Sequence, residues 1–152
     1  MGFNFRLDKV LKFRQRLVDR QALAVAAAEA ELAEITDKVA AIEMDITRRK
    51  QDPRSLPQRS VDVQDLVAKA AWLEYLLKMR ARYLVAQQDA ASKLADERAR
   101  LTETWRDLEV LVKLKEKQHQ EWRHAQDKAE LKELDEIGQI RADQLRRADE
   151  TA

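Results

Sequence analysis

The chain has 152 residues, of which 38% are charged and only 5% aromatic, a balance poor for a rounded core and good for a long helical surface. Only two Gly and two Pro are present and Cys is absent, so disulfide and thiolate chemistry is excluded and little interrupts helix. A formal net charge of +1 gives no overall pull toward nucleic acid, and the longest run of small apolar residues, 22–28, is far short of the roughly 20 residues a membrane span needs.

The first residues, Phe3, Phe5, Leu7 and Val10, are interleaved with Arg6, Lys9, Lys12, Arg14, Arg16 and Arg20. This is a basic amphipathic start without the uninterrupted apolar stretch of a secretory signal. Residues 3–18 read as a solvated helix face, or alternatively as a contact for a membrane surface or an anionic protein. From there a heptad stripe runs through Leu7, Leu11, Val18, Val25, Ala28, Leu32, Ile35, Val39, Ile42 and Ile46, with Arg14 and Gln21 as polar steps. A sustained repeat of about 3.5 residues keeps one narrow seam facing a partner helix. This predicts a first helix over about 4–50, ending in Arg48, Arg49 and Lys50, cations suited to the negative end of the helix dipole.

Pro53 and Pro57 forbid continuation and mark a connector over 51–59. Ser60 is placed to cap a second helix over about 61–147, with Asp62 and Asp65 in its first turn. The second stripe reads Leu66, Ala70, Leu73, Leu77, Leu84, Ala91, Leu94, Leu101, Trp105, Leu108 and Val112, with Arg80, Gln87 and Arg98 as polar steps. Beyond Val112 the seam weakens, as Lys115, His119 and Gln126 alternate with Trp122 and Ala129. Matching the stripes about a bend near residue 56 puts Ile46 opposite Leu66 and Leu7 opposite Trp105, and leaves some forty residues of the second helix projecting. The expectation is an all-α fold, one coiled-coil domain over 1–152. Two long helices form an antiparallel hairpin, the second longer and with a projecting C-terminal end.

No glycine-rich phosphate loop, nucleophile elbow or metal-ligand spacing is present, so no catalytic, cofactor or metal residues are expected. His119 and His124 are five apart and diverge on a helix, and the adjacent carboxylates Asp135 and Glu136 do the same. The chain is therefore read as a protein-binding one. Trp72, Leu76, Met79 and Tyr83 repeat at four, three and four residues, one position ahead of the second stripe. They either widen the core-facing stripe or form a docking patch. The projecting part, with Trp105, Leu108, Val112 and Trp122 on one line, reads as a surface for self-association or for insertion into a partner.

Two segments carry a family resemblance. The opening Phe3-Asn4-Phe5-Arg6-Leu7-Asp8-Lys9-Val10-Leu11-Lys12-Phe13-Arg14 and the late Leu114-Lys115-Glu116-Lys117, followed by Lys128-Ala129-Glu130-Leu131-Lys132-Glu133-Leu134-Asp135-Glu136-Ile137, are similar to the two ends of the FliJ family, a coiled-coil component of the bacterial flagellar type III export apparatus. The resemblance implies a cytoplasmic protein, peripheral at the inner membrane of the flagellar base and without cofactors, that looks like the central stalk of a rotary ATPase. It implies three kinds of partner: a hexameric export ATPase, the cytoplasmic domain of the export gate, and export chaperones. On this reading Trp122, Lys132, Leu134, Asp135 and Glu136 meet the ATPase and Trp72, Leu76, Met79 and Tyr83 meet the gate. The equivalent stalk of a virulence-type injectisome and a structural coiled-coil spacer are the alternatives.

Overall fold

The computed structural model describes residues 2–51 and 62–152; the connector prolines Pro53 and Pro57 and the proposed cap Ser60 lie outside these residues. Helix α1 spans Asp8–Gln51 and helix α2 spans Val63–Glu150, and the two pack against each other as an all-α hairpin. No cis peptide or residue with positive φ occurs among the described residues, in keeping with a chain that is almost wholly right-handed helix.

Both helix starts have local causes. The Asp8 amide donates to the Phe5 carbonyl at 3.1 Å, closing a turn, and Asp8 then places a carboxylate at the positive end of the α1 dipole. Helix therefore begins at Asp8 and not near residue 4, because Phe5 is drawn into the packing at 4% exposure. For α2 the cap is Asp62, whose carboxylate accepts from the Gln64 amide at 3.1 Å, the hydrogen bond an N-cap side chain makes to the second helical residue.

The contacts divide the chain into two units, Arg16–Trp105 and Met1–Gln15 with Arg106–Ala152. In the first, Val18, Val25, Ala28, Val39, Ile42 and Ile46 of α1 are buried, with Gln21, Leu32 and Ile35 half-buried between them, at the alternating spacing of three and four that the stripe predicts. From α2 the seam takes Leu73, Leu76, Arg80, Tyr83, Gln87, Ala90, Leu94, Glu97, Leu101 and Thr104. This corrects the second stripe at every other position. Leu76, Tyr83, Ala90, Glu97 and Thr104 face inward, whereas Leu77, Leu84 and Trp105 are 43%, 39% and 53% exposed. At each of these steps the seam turns by three residues and the apolar reading turned by four. Apolar side chains at both Leu76 and Leu77, and at both Tyr83 and Leu84, made the two choices equivalent in sequence.

The pairing offset also differs from stripe matching. Ile42, Ile46 and Leu76 form one core cluster with Leu73, Met79 and Tyr83 packed against it, so Ile46 meets Leu76, ten residues beyond Leu66, which is exposed. A second cluster joins Val25 and Ala28 to Leu94, with Leu32 and Leu101 beside it. The layers of a heptad seam recur about every 3.5 residues, so it matches its partner nearly as well after a slide of three such steps, about ten residues, and apolar periodicity fixes the face of a helix while leaving the offset open. Polar pairs across the seam mark the offset adopted. Gln21 Nε2 donates to the Glu97 carbonyl at 3.1 Å and to its carboxylate, and Gln87 Nε2 donates to Thr36 Oγ1 at 3.1 Å. The Arg80, Lys93 and Arg98 cations reach Glu43, Glu31 and Glu29 at 3.2, 3.0 and 2.9 Å. Exposed pairs of this kind contribute little stability individually, but a slide would break them together.

In the other unit, Phe5 and Leu108 are buried, and Leu7, Leu11, Leu111 and Leu114 are half-buried. Asp8 binds Lys115 at 3.2 Å and Arg14 binds Asp107 at 3.3 Å. Leu7 thus lies beside the position that pairs with Lys115, not opposite Trp105. The shift shortens the unpartnered part of α2 from the forty residues expected to 123–150, which are helical and exposed at every position.

Candidate partner-docking surfaces

Among the side chains that the intramolecular seam leaves uncovered, two surfaces contain the residues singled out in sequence, each within one unit. In the unit of Arg16–Trp105, the residues singled out in sequence separate by burial. Leu76 is a core residue at 4% exposure, and Met79 and Tyr83 pack half-buried on the same cluster, Tyr83 under the Lys38 ammonium at 5.9 Å. Trp72 remains 43% exposed, with the Arg49 guanidinium 4.9 Å from its ring centroid and the Tyr75 ring 5.3 Å away. A guanidinium over an indole face is a cation–π contact, and it holds the ring against α1 while leaving an edge open. Tyr75, itself 51% exposed, is the part of this surface that the sequence pattern missed; its position three residues after Trp72 was the available signal.

In the unit of Met1–Gln15 with Arg106–Ala152, the N-terminal aromatics cover part of α2. Phe3 sits edge-on to His119 with ring centroids 5.1 Å apart and lies 6.1 Å from Trp122, while His119 stacks on Trp122 at 6.0 Å. Lys115 stands over the Phe5 ring at 6.0 Å as well as binding Asp8. Hydrogen bonding from Lys12, and then from Lys115, holds the Asp8 carboxyl below its usual pKa. These contacts occupy Phe3 and Phe5, and Leu7 is half-buried, so three of the apolar residues that a membrane-surface reading of 3–18 relied on are partly covered; Val10 and Phe13 stay exposed.

Trp122 is therefore half-buried, and it is the last residue of α2 with a partner from elsewhere in the described chain. Lys132, Leu134, Asp135 and Glu136 all lie beyond it on the exposed helix. At about 100° per residue, Lys132 and Glu136 continue the seam register, while Leu134 and Asp135 turn away from it. Leu131, Leu134, Ile137, Ile140 and Leu145 are between 47% and 68% exposed, an apolar content unusual for a helix with no neighbour. Among the described residues no helix is long and apolar enough to cross a membrane.

Against known proteins, no curated protein and no solved structure gives a significant match. A family model described as flagellar FliJ protein matches residues 3–147, spanning both helices, the N-terminal aromatics and most of the unpartnered end. Its span includes both segments on which the resemblance rests, and the chain belongs to the FliJ family of flagellar proteins.

Proposed function

We propose that this chain is a non-catalytic component of the flagellar type III export apparatus that acts as a stalk for the hexameric export ATPase. The observation that carries the reading is the exposed continuation of α2 over 123–150, which keeps five large apolar side chains in water and has no intramolecular partner among the described residues. Covering them in a partner gains up to about 1.5 kcal/mol for each side chain, a contribution set against the cost of association. Trp122, Lys132, Leu134, Asp135 and Glu136 are the proposed ATPase contacts. The Trp72 surface is the proposed export-gate contact, with Trp72 available to the partner and Leu76, Met79 and Tyr83 supporting it from the core side. Escort of export chaperones and a position at the cytoplasmic face of the inner membrane belong to the same proposal.

The test is the charge reversal Asp135→Lys with Glu136→Lys, assayed by binding to the purified export ATPase and by the rate of ATP hydrolysis. Both residues are exposed, so helicity is expected to remain unchanged while binding and stimulation of hydrolysis fall. Equal binding and stimulation by the variant would overturn the assignment of these residues.

A further inference from the structure

The unpartnered part of α2 carries a symmetry that a stalk reading does not require. Leu131, Leu134, Gly138, Ala142 and Leu145 stand seven and four residues before, and four and seven residues after, a central glycine. At about 100° per residue they fall within an arc of about 80°, on the side of the helix opposite the seam face that carries Lys115, Gln118 and Trp122. The spacing is palindromic, so rotation of a second copy about Gly138 puts Leu131 on Leu145, Leu134 on Ala142, and Gly138 on itself. We infer that, in the absence of the ATPase, a second copy of this chain docks antiparallel on residues 127–149 with its two-fold axis at Gly138, a pairing that the ATPase contact proposed above would displace.

Three observations favour this occupant. Gly138 costs about 1 kcal/mol relative to Ala inside a helix, and no atom lies within 4 Å of where its Cβ would be, so no intramolecular contact explains it. A close crossing of two backbones does explain it. The charges are also divided about the same centre. Residues 130–136 hold Glu130, Glu133, Asp135 and Glu136 against one cation, Lys132, while residues 141–147 hold Arg141, Arg146 and Arg147 against one acid, Asp143. Antiparallel pairing lays the acidic half on the basic half of the partner, whereas parallel pairing stacks acid on acid. Finally, Ile137, 47% exposed and beside the arc, comes next to its own copy at the axis, leaving Ile140 outside the interface.

The chain has no cysteine, which allows a direct test in the full-length protein. Single substitutions Ile137→Cys, Leu131→Cys and Leu145→Cys are oxidised under mild conditions, separately and with the last two mixed. Ile137→Cys alone, and the mixture of Leu131→Cys with Leu145→Cys, are expected to give a covalent dimer. Leu131→Cys alone is expected to give none, because its two copies sit fourteen residues apart, about 21 Å along the helix. Cross-linking of Leu131→Cys alone as readily as Ile137→Cys would show parallel or collisional association and overturn the proposal. Sedimentation of the unsubstituted protein supplies a second reading: reversible dimerisation abolished by Leu134→Glu supports the interface, and a monomer at every concentration sampled overturns it.

Discussion

Neighbouring leucines in α2 provide a sharp probe of the seam. Leu76 is 4% exposed in a cluster with Ile42 and Ile46, and Leu77, one residue on, is 43% exposed. Leu→Ala removes three carbons. At about 0.8 kcal/mol per buried carbon, the loss at Leu76 is about 2.4 kcal/mol, and a residual cavity between two helices that collapse only partly brings it to about 3 kcal/mol. At Leu77 roughly half of the side chain is already in water and no cavity is left, so the same change costs about 1 kcal/mol. The gain in helix propensity on introducing Ala is the same for both and cancels in the comparison. Urea unfolding followed by far-ultraviolet circular dichroism measures both variants, and a separation of about 2 kcal/mol in the stated order is expected. Equal losses, or a greater loss for Leu77→Ala, would refute the seam and return the inward face to Leu77 and Leu84. The result also governs how any gate-binding defect of Leu76→Ala is interpreted, since such a loss can arise from weakened folding.

Two further expectations follow from the polar contacts. Gln21→Ala removes the donor that crosses the seam to the Glu97 side chain, 17% exposed, and is expected to cost about 1–2 kcal/mol in the same unfolding assay, whereas Gln21→Leu with Glu97→Leu restores or exceeds the original stability. Asp8 is held below its usual pKa by Lys12 and Lys115, so its stabilising effect is complete above the ordinary carboxylate range and disappears as pH falls through the lowered value. Thermal unfolding of Asp8→Asn is expected to lie below that of the parent at neutral pH and to converge with it in acid; a constant gap down to the acid limit would contradict this.

The legibility of this fold was uneven for physical reasons. Along α1 the choice is clear from Leu32 to Ile46, where each stripe residue competes with no apolar neighbour bulkier than Ala, and although Val10 stands beside Leu11 and Leu17 beside Val18, the stripe read from sequence is the face that packs. Along α2 the choice is doubled. Leu76 competes with Leu77 and Tyr83 with Leu84, and at two steps the inward residue is Glu97 or Thr104 beside the bulkier Arg98 or Trp105. Polar residues enter the seam where cross-helix partners satisfy them, as Gln21 does for Glu97, and hydropathy carries no trace of that partner. The offset between the helices was illegible for a related reason: it resides in pairs such as Arg80 with Glu43 and Gln87 with Thr36, which periodicity does not reveal. Of the candidate surfaces, Trp72 stood out by size, but the division between exposed Trp72 and Tyr75 and buried Leu76 needed the packing partner. The face around Gly138 was within reach of sequence; following the seam register past Trp122 shows it turning polar while the leucines move to the other side.

The central claim is that this FliJ-family chain works through the exposed continuation of α2. Site-specific photo-crosslinking in flagellated cells tests it most directly, with probes at single positions over 123–150 and at the buried seam positions Ala90 and Leu94. The account predicts cross-links to the export ATPase from the 123–150 positions and none from the seam. Cross-links to the ATPase that come only from Arg16–Trp105, or none from any position over 123–150, would contradict it.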